Sequence, residues 1–120
     1  MLDLKHKQLD TWKFALELVR EVYLITESFP SKEIYGITSQ LRRASVSVVS
    51  NISEGSSRKS NIERIRFYEI SRSSIVEIDS QIEIAILLGF VTKNKIQNLE
   101  VLIGKLFKMI TGMISANKKQ

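Results

Sequence analysis

Cysteine is absent from the 120 residues, proline occurs only at Pro30 and histidine only at His6. Without cysteine there is no disulfide framework, no thiolate zinc site and no thiol nucleophile. The same absence fits a reducing cytoplasm, where the chain is expected to reside. A nucleophile–histidine pairing would have to use His6, which is expected in a mobile N-terminus without a fixed neighbour. The Glu-x-x-His pairs by which helix bundles hold two metals are missing. Glu77, Asp79 and Glu83 have no matching histidines and read as ion pairs and solvated charge. The five glycines are isolated, so no glycine-rich loop cradles a phosphate. No catalytic residue, metal site or cofactor is expected, and the chain is not expected to be an enzyme.

Long apolar runs are missing too. The strongest, residues 84–91, falls far short of the ~20 residues that a membrane-spanning helix needs. The N-terminal charges of residues 3–7 have no apolar run behind them, so no secretory leader and no membrane role are expected.

What the sequence does contain is helical periodicity between breaks at Phe29-Pro30-Ser31, Gly55-Ser56-Ser57 and Gly89. Four helices are predicted, over about 10–28, 35–54, 61–88 and 93–115. In the first, Leu9, Trp12, Leu16, Val19 and Tyr23 recur at helical spacing, widened by Ala15, Leu18, Val22 and Ile25. Asp10 or Thr11 is a candidate cap. The second carries Ile37, Leu41, Ala44, Val48 and Ile52 on one face and ends at Gly55, where a left-handed cap is expected. Ser60 and Glu63 form a candidate capping box for the third, on which Phe67, Ile70, Ile78, Ile82 and Ala85 share a face. Thr92 is the expected cap of the fourth, whose stripe is Ile96, Leu99, Ile103, Leu106, Ile110 and Met113. The tail from Asn117 to Gln120 is expected to fray. Short connections between long amphipathic helices predict one domain, an all-α, antiparallel up-down four-helix bundle.

Two helices carry apolar residues outside their core stripes. Val46 and Val49 on the second, with Ile65, Val76, Ile84 and Leu87 on the third, form a second apolar face. A helix apolar on two faces is buried on two faces. Val46, Val49, Ile65, Val76 and Leu87 are therefore candidate contacts of a homo-oligomer, with small residues on the second helix allowing close approach. A polar cluster is predicted beside the core: Asn51, Glu54, Glu77 and Gln81, with Arg43 able to pair with Glu54 or Glu77. It reads as a register-setting network rather than a ligand site.

The net charge is +5, and most of it falls within residues 36–72, where seven cations face three carboxylates. Six of the seven are arginine, which forks onto phosphate better than lysine does. Arg42, Arg43, Arg58, Lys59, Arg64 and Arg66 are the candidate nucleic-acid contacts. No zinc finger, helix-turn-helix or aromatic RNA platform is present, so phosphate contacts would lead any binding.

The string from Tyr35 to Ala44, followed by Val46-Ser47-Val48 and Asn51-Ile52-Ser53-Glu54-Gly55, resembles the proteins encoded by intervening sequences in bacterial 23S ribosomal RNA genes. Trp12-x-x-Ala15-x-x-Leu18, Phe29-Pro30, Arg58-x-Ser60, Arg66-Phe67 and Ser74-x-x-Glu77-x-x-x-Gln81 fit the same pattern. Val49 departs from it where many relatives have proline, Ser53 where they have alanine and Ser73 where they have glycine. The resemblance implies a four-helix bundle assembling as a homopentamer, without established enzymatic activity. Related accessory proteins of diversity-generating retroelements imply binding of nucleic acid and a protein partner through a basic surface. The expected function is a homo-oligomeric bundle binding structured RNA or DNA with low sequence specificity. The alternative is a protein–protein adaptor.

Overall fold

Helix ends fall largely where backbone chemistry demands them. A computed structural model describes residues 1–118. It comprises α1 (Asp10–Thr26), α2 (Ile37–Ser56), α3 (Asn61–Leu87) and α4 (Gln97–Lys118), with short 3-10 turns at Lys5–Gln8, Ser31–Glu33 and Lys93–Ile96. Pro30 follows α1 and cannot donate to a continuing helix. Ser60 caps α3 by accepting from the Glu63 amide at 3.2 Å, the first half of the predicted capping box. Gly89 closes α3 at φ 79°, the one left-handed residue described. There the amide of Phe90 reaches the Ala85 carbonyl and that of Gly89 reaches Ile86, satisfying carbonyls the helix end would orphan. Phe90 then lies against Phe29, ring centroids 5.7 Å apart.

Three expected helix ends differ. Gly55 is not a left-handed cap, because α2 runs through it to Ser56. Leu9 precedes α1 with no side-chain cap, so neither Asp10 nor Thr11 plays that part. Thr92 starts a 3-10 turn, likewise without a side-chain cap bond. The tail is helical as far as it is described: Asn117 donates to the Met113 carbonyl at 2.8 Å. Lys119 and Gln120 lie outside the described residues.

Side-chain bonds between helices fix their order and direction. Trp12 and Arg42 on α1 and α2 reach Ser53 and Thr26 respectively. Ser71 donates to the Val48 carbonyl, Ser74 to Ser47, and Gln81 to Gln40. In both sets one residue number climbs as the other falls, so α1–α2 and α2–α3 run antiparallel. Arg72 bonds Thr111 on α4, and Lys105 on α4 sits 3.8 Å from the Phe14 ring centroid on α1. The four helices thus form a ring in which each packs on its neighbours in sequence and α4 closes back on α1, with no strand among the described residues. Residues 45–50, whose serines and valines alternate as they would in a strand, lie wholly within α2.

The core is Ala15, Leu18, Val22 and Ile25 from α1, Leu41, Ala44, Val48 and Ile52 from α2, Ile75, Ile78, Ile82 and Ala85 from α3, and Leu99, Leu106 and Ile110 from α4. Each buried aliphatic contributes roughly 1.5–3 kcal/mol relative to exposure. The stripe expected to centre α1 is displaced: Leu16 and Tyr23 face solvent, and the residues expected to widen it form its middle. Ile70 on α3 is likewise exposed, and Tyr68, Ser71 and Ser74 take the buried face. In both helices apolar residues occur on either side of the true stripe. Periodicity locates a helix there without locating the centre of its buried arc.

The serines explain how close α2 and α3 come. Ser45 and Ser71 are fully buried, and Ser71 reaches the backbone of α2 itself at 2.9 Å. Gly55 serves the same approach. A Cβ built there would lie 2.6 Å from Cε1 of Tyr68, so the tyrosine ring packs directly on bare backbone.

Candidate nucleic-acid interface

Four of the six predicted contacts gather at the end of the bundle where α2 turns into α3. Arg58 and Lys59 lie in the turn, and Arg64 and Arg66 lie in the first two turns of α3. Arg42 and Arg43 stand near the start of α2, about 24 Å away at ~1.5 Å of helix per residue. One chain therefore does not unite the six in one patch.

Their environments separate them further. Arg42 is a strut: its Nε donates to Thr26 Oγ1 at 2.9 Å, and its guanidinium lies 4.6 Å from the Tyr23 ring centroid. Arg58 pairs with Glu54 at 3.1 Å and covers the Phe67 ring at 4.9 Å. Both Arg58 and Glu54 are well exposed, so the pair contributes little to stability. Arg64 donates from Nε to the Arg58 carbonyl at 2.7 Å and from NH1 to Asn61 Oδ1 at 3.1 Å. It thereby ties the turn to the helix that follows. Among the described residues Arg43, Lys59 and Arg66 are exposed and form no ion pair. Lys59 and Arg66 are therefore the freest charges at the turn, and Arg43 at the far end.

The polar cluster forms in part. Gln81 is buried on α3 and donates to both Gln40 and Glu77 at 3.1 Å. Asn51 donates to the carbonyl and the hydroxyl of Ser47, which also receives Ser74. Glu54 is outside this network, because its partner is Arg58 one helical turn on. Arg43 pairs with neither Glu54 nor Glu77. It borders a shallow hollow of about 270 Å³ with Gln40, Ser47, Ser74 and Glu77.

The apolar face expected to meet another copy is also partial. Val46, Val76 and Leu87 are 44%, 52% and 83% exposed. Val49 and Ile65 are half-buried and already pack on the core, so they supply little free surface. Val76 opens onto a groove of about 330 Å³ between α3 and α4, with Ile75, Ile103, Gly104 and Phe107.

Sequence reasoning misplaced His6. The expected mobile N-terminus instead folds into a 3-10 turn, and His6 is only 8% exposed. Its ring stands edge-on to Trp12, with centroids 5.2 Å apart. The signal available was the apolar Leu9 and Trp12 just beyond it, which bury a neighbouring ring once α1 docks. Among the described residues no group of three or more His, Asp or Glu side chains is placed to hold a metal ion. No described helix is long and apolar enough to cross a membrane.

The helical ring is shared with a solved structure of a protein of unknown function from the S23 ribosomal protein family of Bacteroides thetaiotaomicron. The two superpose with a TM-score of 0.77 over 87% of this chain and 97% of that one, at 17% identity. At that identity the likeness shows the fold. No curated protein matches the chain. Residues 7–112, from the N-terminal turn to late α4, match the pattern of the 23S rRNA-intervening sequence proteins. Because that match spans most of its length, the chain belongs to the 23S rRNA-intervening sequence protein family.

Proposed function

We propose that this protein is a non-enzymatic, self-associating helical bundle that binds structured nucleic acid through phosphate contacts at its α2–α3 end. The observation that carries the reading is the clustering of Arg58, Lys59, Arg64 and Arg66 at one end of the ring, with Lys59 and Arg66 exposed and unpaired among the described residues. Exposed cations on a rigid turn suit a phosphate backbone, and nothing in their arrangement selects a base. Arg43, about 24 Å along the bundle, adds to binding only when the ligand is long enough to reach it.

Self-association is supported by Val76 and Leu87, large apolar side chains left in water on the outer face of α3. The family resemblance favours five copies, and the cytoplasm is the compartment that the absence of cysteine fits. The same exposed residues support a second reading, a scaffold that binds another protein and uses its arginines for solubility.

Titration of a labelled RNA hairpin and a matching DNA duplex at several salt concentrations tests the first reading. Replacing Arg58, Lys59 and Arg66 with glutamine should weaken binding and lower the salt slope by about 0.9 per lost contact on DNA duplex. The oligomeric mass should not change. Unaltered affinity in that variant would remove the turn from the interface. No binding by the wild type even at low salt would leave the scaffold reading.

A further inference from the structure

We propose that the hollow bounded by Lys5, His6 and Arg64 is a phosphate-binding site, and that the phosphate it takes belongs to the bound nucleic acid. The second half of this statement rests on the nucleic-acid reading above, whereas the first half does not. The hollow measures about 230 Å³ and lies where the N-terminal turn, the end of α2, the start of α3 and the end of α4 converge. Lys5, His6, Arg64, Ser56 and Tyr68 line it together with Leu9 and Asn117, and no carboxylate does.

His6 carries the inference. The ring is more than nine-tenths buried, yet its side chain makes no hydrogen bond within the described residues. Its nitrogens are not among the buried polar atoms left without a partner in the described residues, so they keep an open side, and the hollow that His6 lines is where a ligand can reach them. Arg64 faces the same space with its plane already set. Two of its five donors are held by Arg58 and Asn61, leaving others to fork onto an oxyanion. Ser56 and Tyr68 place their hydroxyls 2.9 Å apart, so after one bonds the other a single O–H remains to donate. Tyr68 is held there by Gly55, whose missing side chain gives its ring the room.

These donors exceed what a carboxylate's two oxygens require and suit the oxygens of a phosphate. The volume lies below the ~300–1,000 Å³ of ordinary small-molecule sites. It admits one phosphate-sized group while the rest of the ligand runs outside, over Arg58 and Lys59. Their field adds to the attraction without contact. The phosphate can be a terminal one or one within a strand.

The site is tested by adding inorganic phosphate to the full chain at constant ionic strength, following side-chain and backbone NMR signals. Saturable shifts at His6, Tyr68 and the Arg64 Nε are expected, with chloride as the control. Two variants accompany it. Lys5→Gln changes an exposed residue, and His6→Phe keeps a ring against Trp12 while removing both nitrogens. Each should weaken phosphate binding by roughly tenfold or more, the usual effect of losing a charge-assisted hydrogen bond. Absence of saturable shifts, or unchanged affinity in both variants, overturns the site. The same variants are then titrated with one RNA hairpin bearing either a 5′-phosphate or a 5′-hydroxyl. Weakened binding of the phosphorylated form alone assigns the terminal phosphate, and equal weakening of both assigns an internal one. If RNA binds the variants as well as the wild type, the site is not part of the nucleic-acid interface. If phosphate binds but RNA does not, the site stands and the nucleic-acid reading falls.

Discussion

Gly55 and Thr38 show how much a single position can depend on its neighbours. Gly55 lies inside α2, where alanine would ordinarily be better by about 1 kcal/mol. Here the added methyl would meet the Tyr68 ring at 2.6 Å, and Tyr68 is itself buried. Overpacking of this kind costs about 1–3 kcal/mol. Gly55→Ala is therefore expected to lower stability by about 1 kcal/mol net, read from the urea midpoint. An increase would mean that the ring yields freely. Thr38 is the opposite case. Its hydroxyl is buried and has no hydrogen-bond partner, so it carries a desolvation cost with no return. Thr38→Val keeps the shape and should raise stability by about 1 kcal/mol in the same assay. A loss would reveal a partner for the hydroxyl, such as bound water.

Among the elements, α4 differs from α2 in how it uses glycine. Gly104 and Gly112 sit in the interior of a 22-residue helix, and a Cβ on either would meet nothing within 4 Å. Each weakens the helix by roughly 0.8–1 kcal/mol relative to alanine, with no compensating contact inside the chain. The double change to alanine should therefore raise the stability of the isolated chain by about 1.5–2 kcal/mol, measured in dilute solution by denaturant unfolding. A decrease would show that another copy already packs against this face. α3 presents the complementary problem, because apolar residues surround it. Its inner arc is filled by Ile75, Ile78, Ile82 and Ala85, while Val76, Ile84 and Leu87 remain outside. With apolar residues on every side, the helical period places Ile78, Ile82 and Ala85 in the core correctly but puts Ile70 there as well, where the structure leaves it exposed.

On the scale of the whole molecule, free charge and exposed apolar side chains are spread over several faces, with Arg43 at the far end and Ile62 at the basic one. Lys59 and Arg66 occupy the α2–α3 end, and the exposed aliphatics Val76 and Leu87 lie on the flank of α3. An assembly through that flank would leave the basic end of every copy open to a polyanion, so copies would add their phosphate contacts. Replacing Val76 and Leu87 with glutamate is expected to lower the mass seen by light scattering while leaving the helical circular-dichroism signal intact. An unchanged mass would exclude this flank as the contact.

The sequence by itself determined the helices, their order and most of the core of α2 and α4. Those features follow from local chemistry: an apolar residue every three or four positions, a proline that cannot continue a helix, a serine that caps one and a glycine free to turn left. It also determined that the cations cluster in residues 36–72. Only the tertiary structure decided what each cation is free to do. Arg42 is spent on Thr26 and Tyr23, Arg64 on the turn, and Arg58 on Glu54 and Phe67, while Lys59 and Arg66 stay open. It decided as well that His6 is buried against Trp12 and meets Arg64, 58 residues away in sequence, in one hollow. Such meetings depend on which helices become neighbours and at what height. Burial and partner choice are properties of the assembled ring, and no local pattern encodes them.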